Sequence, residues 1–142
     1  MNPTLRNILA VIAGAFSGSI VNGALITISP YLFPPPEGYD FTNMEGLKAA
    51  LDLGLMTPKY FIMPFLAHAL GTFFGAWVAV KIGPKTMRPA YIVGFLFLLG
   101  GIANCFMIPA PAWFMAIDLL LAYIPMAYLG GKLAMGKPVE VV

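Results

Sequence analysis

The sequence predicts an all-α integral membrane protein: an up-and-down bundle of four transmembrane helices, with a short amphipathic helix in the outer loop between helices 1 and 2. Three observations carry that prediction. The 142 residues are 60% hydrophobic and only 10% charged, with a mean hydropathy of +0.86, which lies outside the range of soluble globular domains. Four apolar stretches, residues 7–30, 58–82, 89–108 and 111–135, are each about as long as the ~20-residue helix that a ~30 Å hydrocarbon core requires. The intervals between them are short and rich in proline, glycine and charge. The longest, residues 33–57, is too short to hold a core of its own, so residues 1–142 read as one transmembrane domain.

The first helix follows a start that carries Arg6, and its apolar run from Ile8 to Ile28 is too long for a signal peptide. It is expected as a retained transmembrane helix that Pro30 ends or nearly ends. At 100° per residue Gly14, Gly18, Asn22, Leu25 and Ser29 share a face. Phe33-Pro34-Pro35-Pro36 is too dense in proline to be helical and leaves the membrane as a stiff spacer. Thr42-Asn43-Met44-Glu45 fits a capping box, and Met44, Leu47, Leu51 and Leu55 then recur at helical spacing, which predicts the short amphipathic helix, interrupted near Gly54.

In the second segment Thr57 reads as an N-cap and Pro58 as a first-turn proline, while Pro64 is expected to bend the helix start. Pro64, His68, Gly71, Thr72 and Gly75 fall on one stripe, assigned to protein contact. Leu66, Leu70, Phe73 and Trp77 fall opposite, assigned to lipid. Gly71-x-x-x-Gly75 permits close approach of another helix. The basic turn from Gly83 to Pro89 sends the third segment back, with Gly94, Gly101 and Asn104 on one stripe. Pro109 and Pro111 turn the chain again, and the fourth segment carries Pro125 as a kink. Gly14, Gly18, Gly71, Gly75, Gly94 and Gly101 are assigned to helix packing.

Charge asymmetry sets the expected orientation. Arg6, Lys81, Lys85, Arg88, Lys132 and Lys137 fall on one face of such a bundle and only Lys48 and Lys59 on the other. The positive-inside rule then puts both termini in the cytoplasm, in a cytoplasmic-type membrane. The net charge of +2 is spread over loops and gives no sign of nucleic-acid binding. The expected partners are the lipid bilayer and a second copy or a larger membrane complex.

Each predicted membrane helix carries one strongly polar side chain: Asn22, His68, Asn104 and Asp118. A rise of ~1.5 Å per residue puts Asn22 and His68 ~12 Å, and Asn104 and Asp118 ~8 Å, below the outer ends of their helices. All four are expected in the outer half of the bundle. A carboxylate within a helix costs ~2.5–3.5 kcal/mol on insertion scales, so Asp118 needs compensation, and a hydrogen bond to His68 is the favoured form. Such a pair would titrate as a unit. Interhelical glue is the competing role for the cluster. Tyr123, Met115 and Met126 are assigned to core or lipid contact, and the lone Cys105 to apolar filling.

No H-E-x-x-H, G-x-S-x-G, phosphate loop or Cys/His metal spacing occurs in the sequence, which points away from an enzyme and from any metal or cofactor. In length and helix number the chain is similar to small proton-coupled drug exporters, which work as dimers of four-helix subunits. Those exporters depend on a glutamate in the first helix, and here that helix has no acid. Two functions are therefore expected. One is an accessory subunit or a small-ligand or lipid-binding protein; the other is a proton-linked small-solute carrier, acting as an oligomer, with His68 and Asp118 as its proton site.

Overall fold

The computed structural model describes residues 2–136. Within them the chain forms six α-helices, α1 (Pro3–Leu32), α2 (Met44–Asp52), α3 (Ile62–Ile82), α4 (Arg88–Met107), α5 (Ala112–Leu121) and α6 (Ile124–Met135), with a 3-10 turn at Pro58–Phe61 and no strand. Four helical stretches are long and apolar enough to cross a membrane: Pro3–Leu32, Pro58–Ile82, Arg88–Met107 and Ala112–Met135. Lys137, counted above with the inner cations, lies outside the described residues.

The first helix exceeds its expected span of 7–30 at both ends. Asn2 Oδ1 accepts from the Thr4 N–H at 2.9 Å, and Pro3 occupies the first turn, where its missing N–H has no helical partner to lose. Pro30 does not end the helix. Phe33 N–H still donates to the Ser29 carbonyl at 2.9 Å, so the last turn closes around the proline. Only Pro34-Pro35-Pro36 stops it.

The short helix α2 forms, but Thr42 does not cap it. Its N-cap is Asn43, whose side-chain oxygen accepts from the Gly46 N–H at 2.8 Å. Asp40 takes Thr42 instead, accepting from its N–H at 2.8 Å and from its hydroxyl at 2.6 Å. An aspartate two residues upstream outcompetes Glu45 for the threonine because an Asx-type turn forms without ordering a longer side chain. At the other end Gly54 N–H donates to the Leu51 carbonyl and Leu55 N–H to the Ala50 carbonyl. That is a Schellman cap, and it needs the left-handed backbone that Gly54 adopts at φ +67°.

Helix α3 is the hub of the molecule, packed against α1, α4, α5 and α6. Its contacts with α1 run in opposite order along the two chains. A Cβ on Gly14 would lie 2.5 Å from the Gly75 carbonyl oxygen, and one on Gly18 would lie 2.5 Å from that of Gly71. The two backbones therefore meet at a glycine ridge, the only residue type this spacing admits. Between α4 and α6, Gly94 faces Ala127 and Gly131 faces Ala90.

Being central, α3 buries more than one stripe. Ile62, Leu66, Leu70 and Phe74 are exposed and form the outer face of the helix. Phe73 and Trp77, expected on that outer stripe, are half-buried. The Phe73 carbonyl sits against Gly130 of α6, and Trp77 packs on the Ala76–Val80–Ala127 cluster. Pro64 occupies the first turn of α3, where its N–H is not required, and the chain passes from 3-10 to α geometry after Phe61 with Phe61 and Ile62 both in the right-handed helical region.

The fourth segment is two helices, not one kinked helix over 111–135. α5 ends at Leu121, Ala122 and Tyr123 form a turn, and Pro125 lies in the first turn of α6. A proline removes one helical N–H and clashes with the carbonyl four residues back. With Tyr123 at φ −112°, ψ −82°, the chain steps aside there and restarts.

Candidate functional site

Asp118 is the only buried carboxylate among the described residues, 4% exposed, and it sits in the last turns of α5 just before the break. His68, on the second turn of α3, places Nδ1 2.9 Å from both carboxylate oxygens. The pair is a buried salt bridge when the ring is protonated. Thr72 donates its hydroxyl to the His68 carbonyl at 2.7 Å and is itself fully buried, which anchors this turn of α3.

The third member is Tyr123. Its hydroxyl donates to Asp118 Oδ2 at 2.9 Å, and its ring stacks on the His68 imidazole at 5.8 Å between centroids. In an unbroken helix residues five apart diverge around the axis, so Asp118 and Tyr123 would not meet in this way. The turn at Ala122–Tyr123 brings the phenol back over the carboxylate. Tyr123 is 1% exposed and belongs to a core cluster with Ala69 and Ala122, so of its two expected assignments core contact holds, and its hydroxyl adds the bond to Asp118. Pro125, two residues on, is the sequence signal that the helix stops here.

Gly101 of α4 has a specific place in this arrangement. A Cβ there would collide with the Oη, Cζ and Cε2 atoms of Tyr123. The glycine is the seat of the phenol ring as well as a point of helix packing.

Of these groups His68, Asp118 and Gly101 line a cavity of about 300 Å3, while Tyr123 and Thr72 support them from behind. Asn22 of α1, His68 of α3, Asn104 of α4 and Asp118 of α5 all reach its wall. The cavity lies where α1 ends and α3 begins, bordered by Ser29, Pro30 and Phe61. Leu47 and Leu51 of α2, with Phe41 and Met56 on either side, roof it. The roof is fastened at its base, where the Tyr60 hydroxyl donates to the Pro34 carbonyl at 3.2 Å and the Phe41 ring meets Tyr60 edge-on at 5.3 Å. Met115 and Cys105 also line the cavity, so neither is merely core or lipid filling.

The asparagines stand apart from the His68–Asp118 pair. Neither amide hydrogen-bonds to it or to any other protein group among the described residues, and Tyr123 supplies the second donor to Asp118 in their place. His68 Nε2 likewise has no protein partner, yet it is not a sealed polar atom. The ring that carries it lines the cavity. Among the described residues no group of three or more His, Cys, Asp or Glu side chains is placed to hold a metal ion. The arrangement offers, in an otherwise apolar chamber, one imidazole nitrogen backed by a carboxylate and two free amides. No family model, no curated protein and no solved structure matches this chain.

Proposed function

We propose that the chain is an integral membrane protein, an up-and-down bundle with both termini cytoplasmic, that binds a small amphiphilic ligand in the cavity beneath α2. The observation that supports this reading best is that one polar side chain from each long apolar stretch lines a single chamber of about 300 Å3. That volume is at the small end of ligand sites, and an apolar lining with a few convergent polar groups is their usual character. Magnitudes argue against glue alone. An interhelical hydrogen bond in a membrane contributes ~0.6 kcal/mol on average, whereas placing a carboxylate in a helix centre costs ~2.5–3.5 kcal/mol. The pair returns less stability than its carboxylate costs, and the two amides in the same chamber make no side-chain hydrogen bond to protein among the described residues.

A second reading, a proton-linked carrier of a small solute working as an oligomer, is favoured by the break between α5 and α6 beside Asp118. Discontinuous helices next to an ionisable group are a recurrent device of secondary transporters. Purified protein in liposomes separates the two. A carrier moves protons or solute under an imposed pH gradient and loses that flux in Asp118→Asn; a binding protein shows ligand-dependent thermal stabilisation with no flux. Absence of both would end the proposal.

A further inference from the structure

The donor and acceptor inventory of the cavity restricts what it holds, and on the reading that it is a ligand site we infer that the ligand is a neutral weak organic acid, a phenol in particular, which gives its proton to His68 inside the chamber. Three observations lead there. First, Asp118 accepts from Tyr123 and from His68 Nδ1. An ionised Asp118 therefore fixes the tautomer with the proton on Nδ1 and leaves Nε2, which has no protein partner, as the free acceptor of a ring that lines the chamber. Second, no Lys or Arg lines the cavity. A ligand that arrives as an anion meets Asp118 and no fixed cation, whereas one that arrives neutral carries the missing charge in as its own proton. Third, Asn22 and Asn104 present unpaired amides on the same wall, which are donors suited to an oxyanion once it forms.

The step balances without another reactant. The ligand O–H bond breaks, an Nε2–H bond forms, the electron pair stays on oxygen, and the imidazolium faces Asp118 at 2.9 Å. The titratable groups in contact with His68 are Asp118 of α5 and Tyr123 of the following turn; Cys105 of α4 and Tyr60 of the 3-10 turn line the same cavity, and the polar side chains of α1 there, Asn22 and Ser29, do not titrate. The apolar body is best an aromatic ring, because Phe41, Phe61 and Phe114 also line the chamber.

The test uses the full chain in detergent micelles with 4-nitrophenol, whose phenolate absorbs in the visible, and its methyl ether 4-nitroanisole, which has no proton to give. At a pH where the free phenol is protonated, the wild type should bind 4-nitrophenol about tenfold or more tightly than the ether, as a charged hydrogen bond predicts, and show the phenolate band without releasing a proton to a bulk indicator dye. His68→Gln keeps a donor for Asp118 but no base, and should lose the band. Equal binding of both probes, or 4-nitrophenol bound with its protonated spectrum, overturns the acid assignment and leaves the cavity reading standing. Failure of the wild type to bind either probe overturns both. Because the wild-type result alone decides, an unstable variant does not rescue the inference.

Discussion

Gly101 and Tyr123 work as one unit, and neither is informative alone. In the sequence Gly101 is one of several glycines on helix faces and Tyr123 one of several aromatics in apolar segments. Asp118 and His68 are different: a single carboxylate and a single imidazole in apolar stretches have few ways to be compensated, so their pairing is legible from residue type and depth alone. The role of Tyr123 is not, because its contact with Asp118 depends on Tyr123 itself leaving helical geometry. Gly101 and Tyr123 should also behave differently under mutation. Gly101→Ala drives a methyl group into the phenol ring and should lower stability by ~1–3 kcal/mol, the usual range for overpacking. Tyr123→Phe removes one hydrogen bond and should cost only ~0.6 kcal/mol. Thermal unfolding in detergent gives the comparison, and a Tyr123→Phe loss as large as that of Gly101→Ala would contradict the seat assigned to Gly101.

Among the elements, the long apolar stretches are legible in the sequence to within a few residues, since length and hydropathy decide them. Less legible are features set by competition between neighbours. Asp40 captures Thr42 and leaves the cap of α2 to Asn43, and a restart after Tyr123 replaces the expected kink. The Asp40 turn carries a pH dependence. The hydrogen bond from the Thr42 hydroxyl, followed by that from the Thr42 N–H, holds the Asp40 carboxyl below the usual carboxylate range. A group whose folded pKa is depressed stabilises the fold above its unfolded pKa and loses that contribution as pH falls through the folded value. A spin label on Glu45→Cys should therefore stay ordered at neutral and weakly acid pH and gain mobility only in strong acid. With Asp40→Ala it should be mobile throughout. Mobility that is the same in both proteins at neutral pH would mean that the turn does not hold α2.

For the molecule as a whole, the proposed orientation rests on the cations, and the exposed turns offer positions at which to test it. Gly46 is unsuitable for a reporter cysteine because a Cβ there meets the Asp40 carbonyl. Glu45 and Thr86 are exposed, one at the start of α2 and the other in the turn between α3 and α4. In a Cys105→Ala background an impermeant maleimide should label Glu45→Cys in intact cells and reach Thr86→Cys only after the membrane is opened; the reverse pattern would invert the molecule. The glycine ridge between α1 and α3 also has a consequence for biosynthesis. Gly14, Gly18 and Asn22 meet the glycines of α3, whose last residue follows the end of α1 by about fifty positions, roughly 3–10 s of synthesis. If the bundle inserts as proposed, α1 would stand alone in lipid during that interval with an amide uncovered. A defect in α3 would prolong this state, and α1 would be the first helix presented to a membrane quality-control protease.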